Sequence, residues 1–128
     1  MHNAAKEIWE DGPTYDAIVK EFGTIICEAH TQDWQGDSLY ALKDLSASTY
    51  GFLCFGWGSC SGCDALEACN TAEDLQELMD TLLSEIIPFD DKESLCSFLK
   101  EHDWEETFVD TKLGEDFTHK TEEAVTCQ

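Results

Sequence analysis

The chain has 128 residues, 42% of them hydrophobic and 11% aromatic. That is enough apolar material for one domain with its own core, and it excludes a disordered chain. Its 28 acidic residues stand against seven lysines and no arginine, giving a formal net charge of −21, so binding to nucleic acid or anionic lipid through charge is disfavoured and basic partners are favoured.

In chain order, residues 1–12 read as a polar leader anchored by Trp9 and closed by the turn Asp11-Gly12-Pro13. Thr14 is a natural N-cap for a helix predicted over 14–30, with Ile18, Phe22, Ile25 and Ile26 at helical spacing. Gly23 and the β-branched run Thr24-Ile25-Ile26 leave room for a strand at its end. A polar loop over 31–37 carries Trp34. Residues 38–44 alternate as a strand, and 50–57 form a second strand that is apolar on both faces and therefore central in its sheet. The short link between them predicts an antiparallel hairpin.

After a Cys-Ser-Gly-Cys turn, residues 64–69 give a short helix or one turn of one. A helix over 71–87 follows, with Leu75, Leu78, Met79, Leu82, Leu83 and Ile86 on one stripe. Asn70 with Glu73, and Thr71 with Asp74, both resemble capping boxes, and Pro88 stops the helix. A further helix spans 91–102 on Leu95, Phe98 and Leu99. Residues 105–109 and 117–125 read as strands around a turn at Gly114-Glu115-Asp116. The expected fold is therefore α+β, one domain over 1–128. A small antiparallel sheet, made of the hairpin at about 38–57 plus C-terminal strands, packs with three or four helices.

Seven cysteines, an odd number, accompany no basic-then-apolar leader and no 18-residue apolar run, which predicts a cytoplasmic chain with free thiols. Cys54, Cys60, Cys63 and Cys69 are spaced C-x5-C-x2-C-x5-C. One Cys-x-x-Cys knuckle is present where structural zinc sites use two, so zinc at these four residues is an alternative and no cofactor is the first expectation. A thiol-redox site at Cys60 and Cys63 is the related alternative, since a Cys-x-x-Cys at a helix start favours thiolate. Gly56, Gly58 and Gly62 would let backbone amides converge on an anion, yet no Lys or Arg lies nearby to complete a phosphate site. His2, His30, His102 and His119 are scattered without ligand spacing, and no catalytic constellation is legible.

The acidity has two readings: a solvated surface, or carboxylates that imitate the phosphates of a duplex. B-DNA carries about one charge per 1.7 Å, so some twenty net charges match roughly ten base pairs. The residues expected to meet a basic partner are Glu73, Asp74, Glu77, Asp80, Glu105, Glu106, Glu115 and Asp116.

The runs Trp34-Gln35-Gly36-Asp37, Tyr50-Gly51-Phe52, Gly56-Trp57-Gly58-Ser59-Cys60-Ser61-Gly62-Cys63-Asp64-Ala65-Leu66 and His102-Asp103-Trp104-Glu105 resemble a pattern found in small acidic proteins of phages and their bacterial hosts. The resemblance covers about residues 31–105 and implies a setting, that of a phage protein blocking a host defence nuclease. The functional expectation is a non-enzymatic inhibitor of anti-CRISPR or anti-restriction type, acting in the host cytoplasm on a nucleic-acid-binding nuclease or effector complex by nucleic-acid mimicry.

Overall fold

The computed structural model describes residues 4–31, 36–46, 48–58, 64–104 and 111–126. In chain order the elements are α1 (Ala4–Asp11), α2 (Tyr15–Phe22), β1 (Thr24–His30), β2 (Gly36–Lys43), β3 (Tyr50–Trp57), α3 (Ala72–Glu85), β4 (Ile87–Phe89), α4 (Lys92–Glu101) and α5 (Thr111–Thr126). The strands form one antiparallel sheet in the order β1-β2-β3-β4, so the fold is α+β. No helix among the described residues is long and apolar enough to cross a membrane.

The two central strands are apolar on both sides, and the chain covers both sides. Tyr40, Leu42, Leu53 and Phe55 pack with Ala5, Ile18, Val19, Leu75, Met79 and Leu82, which places α1, α2 and α3 on one face. Leu39, Ala41 and Phe52 pack with Leu95, Leu99, Trp104 and Phe117, which places α4 and α5 on the other. The register agrees with this division: Leu39 faces Cys54, Tyr40 faces Leu53 and Ala41 faces Phe52, so each cross-strand pair belongs to one face.

The hairpin at 36–57 is as expected, with Asp44 in the left-handed region (φ 59) as the chain leaves β2. Helix α3 also follows its apolar period. Thr71 is its N-cap, its hydroxyl accepting from Asp74 N at 3.1 Å, while the Asp74 carboxylate accepts from Asn70 N at 3.0 Å.

Four expectations are corrected. The leader is a helix, α1, which buries Ala5. The helix predicted over 14–30 ends at Phe22, and Thr24–His30 is the edge strand β1, because the β-branched residues gain more from pairing with β2 than from continuing the helix. Ile87–Phe89 adds a short edge strand, with Pro88 on it, where a sheet tolerates proline. The strand expected over 117–125 and the turn at Gly114-Glu115-Asp116 both lie inside α5, whose buried residues Gly114, Phe117, Thr121 and Val125 recur every three or four positions. The strand expected over 105–109 falls outside the described residues.

Candidate functional site

The face covered by α1–α3 carries a groove of about 560 Å³ at the Thr14 end of α2, lined by Tyr15, Asp16, His30, Ser38, Tyr40, Trp57, Asp64 and Glu67 among others. It contains no Lys or Arg.

A β-bulge decides what β1 contributes. Ile25 pairs with Leu42 and packs on the α1–α3 side, but the register shifts between Ile25 and Cys27, after which Cys27 pairs with Ala41 and Ala29 with Leu39. Strict alternation from Ile25 would have sent Glu28 and His30 towards α5. The extra residue reverses the parity, so Glu28 lies opposite Tyr40 and His30 opposite Ser38, on the groove side.

These side chains meet Asp16 from the first turn of α2, a helix started by Thr14, whose hydroxyl accepts from Ala17 N at 3.1 Å. Tyr40 donates its hydroxyl to Asp16 Oδ1 at 2.8 Å. His30 Nδ1 shares a 2.7 Å hydrogen bond with Ser38 Oγ, and its Nε2 lies 2.9 Å from Glu28 Oε1. One potential donor atom from each of Asp16, Glu28 and His30 lies within 4.8 Å of the other two. The Tyr40 phenol is pushed well above its ordinary range, by burial first and then by its bond to Asp16, so it stays a proton donor to that carboxylate.

The far wall is organised by Asp64, which is only 5% exposed. Its Oδ1 accepts from Leu66 N at 2.8 Å, Glu67 N at 3.1 Å and the Tyr15 hydroxyl at 2.8 Å, and its Oδ2 accepts from Gly58 N at 2.9 Å. Of the three glycines considered for an anion cradle, Gly58 donates to the chain's own carboxylate, with two further amides coming from the 65–68 turn, and Gly62 lies outside the described residues. Burial and the bond to Asp64 raise the Tyr15 phenol above its usual range as well.

The eight acidic residues singled out in the sequence are divided by the sheet. Glu73, Asp74, Glu77 and Asp80 share α3, where Glu73, Glu77 and Asp80 are exposed and Asp74 is half-buried at the cap. Glu115 and Asp116 are exposed on α5, across the sheet from α3. Glu105 and Glu106 lie outside the described residues.

Of the cysteines considered as metal ligands, Cys60 and Cys63 are also outside the described residues. Cys54 and Cys69 are free, half-buried thiols. Burial, with Asp37 and Glu85 nearby, pushes Cys54 up to about 12. Burial and the carboxylates of Asp74, Asp64 and Glu77 push Cys69 up too. Both shifts oppose the thiolate that metal ligation or exchange needs.

Neither a family model nor a curated protein nor a solved structure matches the chain. Sequence reasoning had marked Asp64 as part of the central motif but missed Asp16, Glu28 and His30 as a group, since they come from two elements. The one local sign was Glu-x-His on a strand, a spacing that puts both side chains on one face.

Proposed function

We propose that the chain is a small, non-enzymatic interaction protein that docks the acidic outer surface of α3 onto a basic protein surface. The expected partner is a nucleic-acid-binding nuclease or effector complex, with the chain acting as its phage-encoded inhibitor. The observation that supports this is the segregation of charge. Beyond the buried Asp64, residues 67–91 hold eight acids and no Lys or Arg, whereas α4 and α5 carry four of the seven lysines, at 92, 100, 112 and 120. On that second layer Lys100 Nζ lies 3.5 Å from Glu122 Oε2. Mixed charge of that kind solvates a surface; unmixed charge steers a partner.

Spacing adds to the argument. From Glu73 to Glu85 the helix advances roughly 18 Å at 1.5 Å per residue, and five carboxylates fall in that span. The five charges mark off four intervals averaging about 4.5 Å, wider than the roughly 3.4 Å per phosphate of a single strand and a little over a third as dense as a duplex. The mimicry belongs to one helix, and Glu115 and Asp116 take no part in it.

The test is capture of the partner from a bacterial host lysate, followed by salt-series binding with two variants. Glu73→Gln/Glu77→Gln/Asp80→Asn should weaken binding roughly 3- to 100-fold and flatten its salt dependence, each exposed pair contributing about 0.2–1 kcal/mol. Glu115→Gln/Asp116→Asn should leave both unchanged. Equal losses in the two variants, or binding insensitive to salt, would refute the reading.

A further inference from the structure

We propose that Asp16, Glu28 and His30 form a binding site for one divalent transition-metal ion at the edge of the groove. The donor set is one imidazole nitrogen and two carboxylates, a mixed nitrogen and oxygen set that suits Mn²⁺, Fe²⁺ or Zn²⁺ rather than an all-oxygen ion such as Ca²⁺. Three features argue for it beyond proximity.

The first is placement. The β1 bulge turns Glu28 and His30 away from the α5 side and towards Asp16, and bulges commonly serve to re-aim a side chain at a site. The second is orientation. Ser38 is only 3% exposed and its Oγ bonds His30 Nδ1 at 2.7 Å, leaving Nε2 directed at the carboxylates; Tyr40 fixes Asp16 from the other side. A metal-binding histidine held through its second nitrogen, and a carboxylate held by a hydroxyl, are the supports such ligands need. The third is charge. Two carboxylates are brought close together, Asp16 on the groove's lining and Glu28 beside it, and that lining contains no Lys or Arg, so like-charge repulsion is relieved when a cation sits between them.

The geometry requires little movement. With ligand distances of about 2.1 Å, tetrahedral donors stand about 3.4 Å apart, and the three atoms are already within 4.8 Å of one another. Glu28 and His30 are each about a third exposed on their side chains, 37% and 33%, so an ion can enter from the groove. Coordination positions not filled by protein would face that groove.

Mn²⁺ is the probe, because it avoids thiolates and the chain has seven cysteines. Loss of the free Mn²⁺ electron paramagnetic resonance signal, measured on reduced protein, should show one site per chain standing above weak diffuse binding. His30→Ala and Glu28→Gln should each weaken that site more than about tenfold, and Ser38→Ala about 10- to 100-fold. A Glu73→Gln/Glu77→Gln variant, which removes two negative charges where Glu28→Gln removes one but lies on α3, should leave it unchanged. Thermal melts with and without Mn²⁺ give a second readout: added metal should raise the Tm of the wild type and of the α3 variant but not of Glu28→Gln. The proposal is overturned if binding is only weak and diffuse, or if a site exists that His30→Ala and Glu28→Gln leave intact.

Discussion

Asp64→Asn is the substitution that interrogates the architecture most directly. The carboxylate accepts four hydrogen bonds at 2.8–3.1 Å while only 5% exposed. Asparagine has nearly the same shape and can keep the Oδ1 side, so Tyr15, Leu66 and Glu67 retain a partner, though an uncharged one. Its amide nitrogen must then face Gly58 N–H, donor against donor. Hydrogen bonds to a charged group contribute about 1.5–3 kcal/mol each, and a buried donor left unpaired costs about 1–3 kcal/mol. After allowing for the lower desolvation of a neutral side chain, we expect a net loss of about 3 kcal/mol. For a chain of this size that corresponds to a fall in Tm of about 10 °C. Urea unfolding followed by far-ultraviolet circular dichroism should show a lower midpoint at unchanged slope. Tyr15→Phe, which removes one hydroxyl from the same network, should cost about 1 kcal/mol. A variant Asp64→Asn within about 0.5 kcal/mol of wild type would refute the claim that this carboxylate holds the turn.

Two other outcomes follow from single contacts. A Cβ at Gly114 would lie 2.2 Å from Trp104 Cδ2 and 2.5 Å from Cγ, so Gly114→Ala should destabilise by about 1–3 kcal/mol despite the roughly 1 kcal/mol by which alanine favours a helix; an unchanged or higher unfolding midpoint would show that the indole can move aside. The Cys54 thiol ionises near 9.0 when exposed and about 12 in the fold, so its contribution to stability is whole below pH 9 and is lost as pH rises towards 12, with a slope of at most about 1.4 kcal/mol per pH unit. Burial moves Cys27, Cys69 and Cys96 in the same direction. Denaturant titrations from pH 8 to 11 under reducing conditions should therefore show falling stability, and Cys54→Ala should flatten the fall; parallel slopes would contradict the assignment.

What could be read from the sequence depended on how undiluted each periodic signal was. Helix α3 presents Leu75, Met79 and Leu82 to the core with acids opposite, and nothing competes with that pattern. The hairpin was equally plain, since Leu39, Tyr40, Ala41 and Leu42 are all buried on alternating faces. Helix α5 has the same kind of stripe, but two of its four buried residues are Gly114 and Thr121, which carry little hydropathy, and the stripe disappeared. Its meaning depends on Trp104, a ring ten residues away that fills the space over Gly114. Strand β1 was hidden because Ile18, Phe22, Ile25 and Ile26 keep a helical spacing through Gly23, while the β-branched preference of Thr24–Ile26 is satisfied only once β2 lies beside it. The groove was least legible. A one-residue bulge sets which way Glu28 and His30 point, and a period-two pattern carries no sign of it until the partner strand's register is known.

The same register explains why total charge is a poor guide to a binding surface. A net charge of −21 is compatible with any distribution, but in this fold the helix α3 carries acids alone, while α1 and α2 beside it and α4 and α5 across the sheet carry lysines among their acids. The α3 helix is in turn placed by Asp64: the carboxylate fixes the start of the 65–68 turn, the turn leads through Asn70 and Thr71 into the cap, and Tyr15 ties it to α2. This buried acid therefore has no part in attracting a partner. It sets the position of the exposed ones, so Asp64→Asn should weaken partner binding only as far as it displaces α3, and addition of Glu73→Gln/Glu77→Gln/Asp80→Asn should lower affinity by the same factor in either background if α3 stays in place.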